Sequence, residues 1–409
     1  LFRKYAALWG TNNVDHQARI CHSTTVAGVA NTWGYGAMTN SYNDMHNSKA
    51  MFFIGSNAAE AHPVAMQHVL RGKENGAKMI VVDPRFTRTA AHADQFLRIR
   101  PGTDVPIIWG ILWHVFENGW EDKEYIRQRV YGLDEIRAEV AKWTPDVVEN
   151  VTGVPEDQVK LAAKTMAENR PGTIVWCMGG TQHTIGNNNT RAYCAMQLAL
   201  GNVGVSGGGA NIFRGHDNVQ GATDLGILSH TLPGYYGLSD GAWKHWSRVW
   251  GLDHAWVQGR FDTDYANTGS AEDGPVPFAN PMNSAGMPVS RWIDGVLEEA
   301  ELIDQRDQLK AMFFWGHAPN SQTRGPEMKK ALEKLELVVV VDPYPTHTAV
   351  LPDRQEGMYL LPAATQFETY GSVTASNRSL QWRDKVIDPL FEALPDHTIM
   401  YKMAKKLEF

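Results

Sequence analysis

The sequence has few cysteines, no excess of basic residues and no long apolar run. Its three cysteines, Cys21, Cys177 and Cys194, are too few for a disulfide framework and lack the spacing of a zinc or iron–sulfur site. The formal charge of −7 argues against nucleic acid or an anionic membrane surface as the main partner. The sequence contains no run of about 18 apolar residues, so no membrane-spanning helix is predicted. No signal peptide is recognisable. These absences predict a cytoplasmic protein without a membrane segment.

Short apolar runs alternate with helical patterns along the chain, which is typical of an α/β protein. With 409 residues, the chain is longer than one hydrophobic core usually holds, so two domains are expected. Gly72 is expected to end the first of the long helices, because glycine favours the end of a helix. The predicted strands are 50–54, 78–82 and 173–177, and the predicted helices are 25–30, 63–71, 105–118, 155–169, 190–200 and 395–407.

An internal repeat links two distant parts of the chain. The run Phe-Phe-Ile-Gly at 52–55 returns as Phe-Phe-Trp-Gly at 313–316, and the pattern V-V-D-P-x-x-T-x-T-A occurs at 81–90 and again at 340–349. The separation of the two motifs is nearly the same in both copies, about one βαβ unit. We therefore predict two doubly wound, Rossmann-like α/β domains related by a pseudo-repeat, with residues 1–216 in the first and 217–409 in the second.

Ligands of such sheets lie beyond the carboxyl ends of the strands, where both copies carry a glycine and an aspartate. A glycine lets backbone approach a phosphate, and an aspartate accepts hydrogen bonds from a ribose or a purine amine. Two copies suggest two nucleotides, or one ligand with two nucleotide arms held between the domains. The alternative is that the Asp-Pro pair merely ends each strand.

Residues 235–300 differ from the rest because tryptophans alternate there with His, Asp and Gly. We predict an irregular Trp-rich insertion in the second domain that covers a site or contacts another chain. The alternative is a surface insertion packed on its own tryptophans.

Three motifs carry side chains suited to chemistry. Cys21 and His22 place a thiol beside an imidazole; the cysteine could be a nucleophile, a soft metal ligand, a redox sensor or simply a small buried residue. Arg214 begins the run R-G-H-D-N-V-Q-G and could present its planar fork to a carboxylate, or pair on the surface with Asp217 or Asp224. The run M-G-G-T-Q-H at 178–183 lies at a strand end, as a ligand loop or an ordinary turn.

Taken together, the motifs resemble the catalytic subunit of metal-dependent formate dehydrogenases, which are molybdopterin (bis-guanine-dinucleotide) oxidoreductases. The resemblance covers about residues 19–235 and 310–385, and residues 236–309 carry little of it. The motifs are R-x-C-H-S-x-x-V-A-G at 19–28, G-S-N-A-A-E-A-H-P at 55–63, V-D-P-R-x-T-x-T-A at 82–90, G-x-T-Q-H at 179–183 and R-G-H-x-N-x-Q-G-x-T-D at 214–224.

The resemblance implies a molybdenum or tungsten centre held by two pterin cofactors, a terminal sulfido ligand and Cys21. It implies that His22 and Arg214 are catalytic, with Arg214 receiving formate. The cofactor, a bis(molybdopterin guanine dinucleotide), is expected to contact Gly55, Asn57, Glu60, Asp83, Arg85, Asp104, Gly179, Gln182, Gly215, Gly316, Asn320, Asp342 and Thr346.

The implied activity is the reversible oxidation of formate to CO2, with electrons passed through iron–sulfur and flavin (diaphorase) subunits to NAD. The family's amino-terminal cysteines for a [4Fe–4S] cluster and its carboxy-terminal domain have no counterpart here, so the chain is expected to be a fragment of such a subunit. Two alternatives stay open: another reductase on the same cofactor, such as a nitrate reductase, or a non-catalytic scaffold homologue.

Overall fold

The computed structural model describes residues 1–261, 281–303, 305, 307–319 and 324–409. The strands are β1 (Ala50–Ile54), β2 (Lys78–Val82), β3 (Gln95–Leu97), β4 (Gly172–Trp176), β5 (Ala210–Ile212), β6 (Ala311–Trp315), β7 (Leu337–Asp342), β8 (Met358–Pro362), β9 (Gly371–Thr374) and β10 (Leu380–Arg383).

Helices fill most of the segments between the strands. They are α1 (Phe2–Trp9), α2 (Ala18–Cys21), α3 (Ser23–Trp33), α4 (Ala58–Ala61), α5 (Pro63–Glu74), α6 (Asp104–Glu117), α7 (Lys123–Arg129), α8 (Leu133–Val140), α9 (Pro145–Thr152), α10 (Glu156–Glu168), α11 (Met178–Thr181), α12 (Gly186–Ala199), α13 (Val219–Asp224), α14 (Asp240–Val249), α15 (His254–Arg260), α16 (Trp292–Leu297), α17 (Gly325–Lys334), α18 (His347–Val350) and α19 (Asp396–Lys406). Among the described helices, none has the length and apolar character needed to cross a membrane.

The first sheet is parallel and has the strand order β3-β2-β1-β4-β5. Alternate side chains of β1 point to opposite faces, as the period of a strand requires. Phe52 and Ile54 pack in one core with α6, α10 and α12, whereas Met51 and Phe53 pack in another core with α5. The chain therefore winds in both directions from β1, and the switch point lies where β1 and β4 end side by side.

The second sheet is also parallel and joins β6, β7 and β8 in that order. Val338 and Val340 face a core shared with α16 and α17, and Val339 and Val341 face a core shared with α19. Helices thus cover both faces of this sheet as well. The predicted α/β class with two doubly wound parallel sheets is confirmed.

The pseudo-repeat extends to the turns that follow the strands. Gly55 and Gly316 both have positive φ, 61° and 55°. The Gly55 N–H donates to the Val82 carbonyl at 3.2 Å, and the Gly316 N–H donates to the Val341 carbonyl at 2.8 Å. Each copy therefore turns out of its first strand in the same left-handed conformation, which glycine adopts without steric cost.

Two compact units make up the chain. One comprises Leu1–Ile20, Val219–Val373 and Leu380–Phe409, and the other comprises Cys21–Asn218 and Thr374–Ser379. The domain boundaries expected from the sequence, 1–216 and 217–409, stay a prediction.

The prediction of irregular structure over 235–300 was wrong for α14, α15 and α16. Trp243, Trp246 and Trp250 are spaced three and four residues apart, which is helical spacing that the surrounding Gly and Asp concealed. Ser239 and Asp253 cap α14 and α15 by accepting hydrogen bonds from the N–H groups of Ala242 and Trp256. Residues 262–280 lie outside the described residues.

The prediction that Gly72 ends a helix was also wrong, because α5 continues to Glu74. A Cβ atom at Gly72 would lie 2.8 Å from the Met45 carbonyl oxygen. The glycine therefore serves close packing inside the helix rather than its termination.

Candidate functional site

Cys21 and His22 lie at a break between two helices. α2 ends at Cys21, and His22 occupies the N-cap position of α3 with only 2% of its surface exposed. The start of α3 is fixed on the segment after β4, since Thr24 Oγ1 donates to the Thr181 carbonyl at 2.6 Å and the Trp176 indole donates to Thr25 Oγ1 at 3.1 Å. The backbone at Cys21 and His22 is thereby attached to the carboxyl end of β4.

The small residues of α3 allow it to lie directly against α12. A Cβ atom at Gly28 would lie 2.7 Å from the Thr190 Cβ atom. Helix packing therefore accounts for Gly28 of the sequence motif.

The Cys21 thiol lies among sulfur atoms and positive charge. Its Sγ atom is 3.5 Å from Met178 Sδ. Burial raises the pKa of the Cys21 thiol, and the Arg214 charge and a hydrogen bond from the Gly215 N–H act in the opposite direction. Burial also raises the pKa of Cys177 to about 11, with the neighbouring Cys21 adding to the effect. Without a metal, both thiols are protonated at neutral pH; a metal bound at Cys21 would displace its proton.

Arg214 follows β5 and is 3% exposed. Its backbone N–H donates to Ser376 Oγ at 3.2 Å, and its Nη1 donates to the Ser376 carbonyl at 3.4 Å. Its own carbonyl is 2.6 Å from His62 Nε2. The structure thus brings Arg214 and Gly215 together with Cys21.

The alternative of a surface arginine paired with an aspartate is contradicted by this burial and by the partners of the two aspartates. Asp217 pairs with His216 at 3.1 Å, and Asp224 accepts hydrogen bonds from Gln220 at 2.5 Å and Tyr235 at 2.6 Å.

Two residues around Arg214 were not anticipated from the sequence. Ser376 also hydrogen-bonds Tyr42, and the Arg214 charge acts on that same phenol. The Tyr42 ring contacts the Phe213 ring edge-on, with 5.2 Å between the ring centroids. The centroid of the His62 ring lies 5.2 Å from that of the Phe213 ring. Neither Ser376 nor Tyr42 belongs to a motif, and both lie more than 150 positions from Arg214 along the chain, so no local signal marks them.

Gly55 and Gly179 meet at the switch point of the first sheet. The Gly179 N–H donates to the Gly55 carbonyl at 3.1 Å. A Cβ atom at Gly55 would lie 2.5 Å from the Gly180 nitrogen, and one at Gly179 would lie 2.6 Å from the Gly55 Cα atom. Contact between these two turns therefore already requires glycine at both positions; their role towards a cofactor stays a prediction.

The polar residues after β1 and β2 form a local network. The Thr89 hydroxyl donates to Asn57 Oδ1 at 2.9 Å, and it accepts the Ala59 N–H at 2.9 Å. Exposed Glu60 lies 3.4 Å from Arg88. The loop that carries these side chains is thereby held in place before any ligand binds.

Asp83 stands at the end of β2, where it accepts the Arg85 N–H at 2.9 Å, and the Arg85 residue itself is exposed. Burial raises the pKa of Asp83.

Asp104 begins α6, is buried, and accepts a hydrogen bond from the Tyr193 hydroxyl at 2.8 Å. Burial raises its pKa, opposed mainly by the Tyr193 hydrogen bond. Gln182 follows α11 and is exposed.

The second copy of the repeat places Gly316 and Asp342 at the ends of β6 and β7. Asp342 accepts the Tyr344 N–H at 3.3 Å, as Asp83 accepts that of Arg85, and burial raises the Asp342 pKa. Thr346 precedes α18, and its hydroxyl is buried without a hydrogen-bond partner among the described residues. Asn320 lies outside the described residues.

The donor set fits a metal whose other ligands come from a cofactor. Within the described part of the chain, no group of three or more His, Cys, Asp or Glu side chains could hold a metal ion. Cys21 offers one soft sulfur, and the Arg214 charge and the Gly215 N–H favour its thiolate. Cβ atoms at Gly215 and at Gly316 would meet no atom of the described residues within 4 Å.

Comparison with known proteins identifies a family. A family model described as molybdopterin oxidoreductase matches residues 1–406. The chain is 34% identical over 401 residues to the F420-dependent formate dehydrogenase subunit alpha of Methanocaldococcus jannaschii, covering 98% of this chain and 53% of that protein. It is 32% identical over 483 residues to the nitrate-inducible formate dehydrogenase major subunit of Escherichia coli, covering 98% and 47%. The chain spans about half the length of these curated relatives, and the resemblance to formate dehydrogenase catalytic subunits is confirmed.

A solved structure shares the fold. The acetylene hydratase from Pelobacter acetylenicus matches with a TM-score of 0.72 and 21% identity, over 100% of this chain and 53% of that one.

Proposed function

Because the chain belongs to the molybdopterin oxidoreductase family, we propose that it is the metal-binding part of a formate dehydrogenase catalytic subunit. The proposed reaction is the reversible oxidation of formate to CO2, which releases two electrons and a proton. The observation that carries the proposal is the buried Arg214 whose charge acts on the Cys21 thiol. Substrate anion and metal would then meet at one place.

The proposed cofactor is a molybdenum or tungsten bis(molybdopterin guanine dinucleotide) with a terminal sulfido ligand. When bound, this group supplies the acceptor for the two electrons of formate. Cys21 would ligate the metal. The cofactor-binding residues proposed for the two guanine dinucleotide arms are Gly55, Asn57, Glu60, Asp83, Arg85, Asp104, Gly179, Gln182, Gly215, Gly316, Asn320, Asp342 and Thr346.

Arg214 would bind the formate carboxylate through its planar fork of N–H donors. Charge-assisted hydrogen bonds of this kind are roughly twice as strong as neutral ones, and burial removes competing water. Holding the carboxylate in this way fixes the direction of the formate C–H bond, which is the bond that breaks.

His22 would act beside Arg214 and Cys21. It is buried directly after the proposed metal ligand, and an imidazole exchanges protons near neutral pH. We propose that a His22 ring nitrogen stabilises bound formate or takes up the proton left by its oxidation.

The proposed partners are iron–sulfur and flavin subunits that carry electrons to NAD in the cytoplasm, with a [4Fe–4S] cluster nearest the pterin. One relative is named as F420-dependent and another as a cytochrome c-553 enzyme. Since these names differ in acceptor, NAD stays a prediction from the sequence.

The test compares Arg214→Lys with wild type in the purified holoenzyme. Lysine keeps the charge but loses the fork, so kcat/KM for formate should fall by about 10²–10³-fold while molybdenum or tungsten content stays normal. Arg127→Lys is the matched control, because Arg127 is exposed and pairs with Glu124 on α7. Unchanged formate turnover in Arg214→Lys contradicts the proposal. Nitrate reduction without formate oxidation would favour the nitrate reductase alternative, and metal-free wild-type protein the scaffold alternative.

A further inference from the structure

Residues 374–379 lie far along the chain from Arg214 but belong to the same compact unit. The Thr374 N–H donates to Asn218 Oδ1 at 2.9 Å, which attaches the segment to the R-G-H-D-N motif. The Arg378 N–H donates to the Ala375 carbonyl at 2.8 Å, and the Ser379 N–H donates to Asn377 Oδ1 at 3.2 Å. The segment is therefore a closed turn held against the arginine loop, and Asn218 serves this attachment.

Ser376 is the buried residue of this turn and contacts Arg214 twice. Its hydroxyl accepts the Arg214 backbone N–H, and its carbonyl accepts from Arg214 Nη1. The same hydroxyl is hydrogen-bonded to the Tyr42 phenol. One hydroxyl thus contacts both the Arg214 backbone and the tyrosine, which restricts its rotamer.

The other side of Arg214 is held by His62. A carbonyl can only accept, so His62 Nε2 carries the proton in the 2.6 Å contact with the Arg214 carbonyl. Phe213 packs against both Tyr42 and His62. The peptide groups on both sides of the Arg214 Cα atom are therefore anchored.

We propose that Ser376, supported by Tyr42, is a positioning residue that sets the direction of the Arg214 fork and thereby the affinity for a small carboxylate. The inference rests on the proposed function, in which Arg214 binds formate. Ser376 would act through Arg214 and would not touch the substrate. The arginine side chain is long and flexible, so holding it in place costs conformational entropy. Arg214 loses less of this entropy on binding an anion because its backbone and its Nη1 atom are already held by Ser376.

The experiment uses the holoenzyme with Ser376→Ala, Ser376→Thr and Ser379→Ala. Ser379 lies on the same turn but is exposed, so its alanine variant is the matched control. Ser376→Ala should raise the formate KM and the formate dissociation constant by about 5–10-fold, the effect of one or two hydrogen bonds, with kcat within about twofold. Ser376→Thr restores the hydroxyl and should return both constants to within about twofold of wild type. The dissociation constant is measured from line broadening of 13C-formate, independently of turnover.

Tyr42→Phe provides a second variant if Ser376→Ala does not fold. It removes only the phenol oxygen and should raise the formate dissociation constant by about 2–5-fold. If wild type binds and oxidises formate but Ser376→Ala or Tyr42→Phe leaves both constants unchanged, the positioning role is overturned and the proposed function stands. If wild type neither binds nor oxidises formate, both are overturned.

Discussion

The two copies of the repeat share a backbone turn but differ in what surrounds it. Gly55 and Gly316 have nearly the same positive φ and the same N–H bond to the neighbouring strand. A side chain at Gly55 would collide with the backbone of Gly180, whereas one at Gly316 would meet none of the described residues within 4 Å. The repeat in sequence therefore preserves conformation, while the packing around each copy has diverged.

The side chains after the turns differ in the same way. Thr89 and Thr348 occupy equivalent positions of the D-P-x-x-T-x-T-A pattern, and both are fully buried. Thr89 bonds Asn57 and the Ala59 N–H, but the position equivalent to Asn57 is Ala318, and the Thr348 hydroxyl has no hydrogen-bond partner among the described residues. The threonine hydroxyl of the first copy is therefore hydrogen-bonded within its own loop, whereas that of the second copy lacks the equivalent asparagine partner.

Replacing Gly55 and Gly316 in turn with alanine should separate the energetic cost of the backbone conformation from the cost of steric collision. Gly55→Ala combines a left-handed φ with a backbone collision and should lower the free energy of unfolding by about 3–5 kcal/mol. Gly316→Ala carries only the conformational cost, about 1 kcal/mol. Urea unfolding of the purified variants measures both values, and equal losses would contradict the difference in crowding.

Valine at each threonine tests the smaller difference in hydrogen bonding. Thr89→Val breaks two partly buried hydrogen bonds and should lower the free energy of unfolding by about 2 kcal/mol. Thr348→Val removes a hydroxyl that has no hydrogen-bond partner in the described part of the chain, and it should be neutral or stabilise by up to about 1 kcal/mol. Thermal unfolding midpoints should therefore move in opposite directions, or only the first should fall. A comparable loss in both variants would show that Thr348 has a partner in solution.

Local patterns were sufficient to predict β1, β2, β4, β6 and β7, but β3, β5, β8, β9 and β10 were not predicted. The apolar run Ala50–Ile54 and the Asp-Pro pairs that follow the strands are short-range signals. The internal repeat predicted the second parallel sheet. The tryptophan helices were missed because Gly and Asp between Trp243 and Trp256 obscured a helical period that tertiary packing stabilises.

The candidate site could be predicted only where its residues lie in motifs. Cys21, Arg214 and Gly215 were expected, and the structure brings them together. Ser376 and Tyr42 were not expected as supports of Arg214, because long-range contacts leave no periodicity or spacing in the sequence. His62 lies in a motif, but the motif did not indicate its contact with Arg214. The same limit applies to Gly55, whose contact with Gly179 depends on the pairing of β1 with β4.

The most direct test of the account is formate-dependent reduction of a viologen dye by the holoenzyme, comparing wild type with Cys21→Ala and with the control Cys194→Ala. Cys194 is buried in α12 within the hydrophobic core and is not part of the proposed site. We predict that wild type and Cys194→Ala reduce the dye with formate, and that Cys21→Ala loses at least about 10³-fold in rate, as removal of a group essential to a catalytic centre does. Retained turnover in Cys21→Ala would contradict the assignment of Cys21 as the metal ligand.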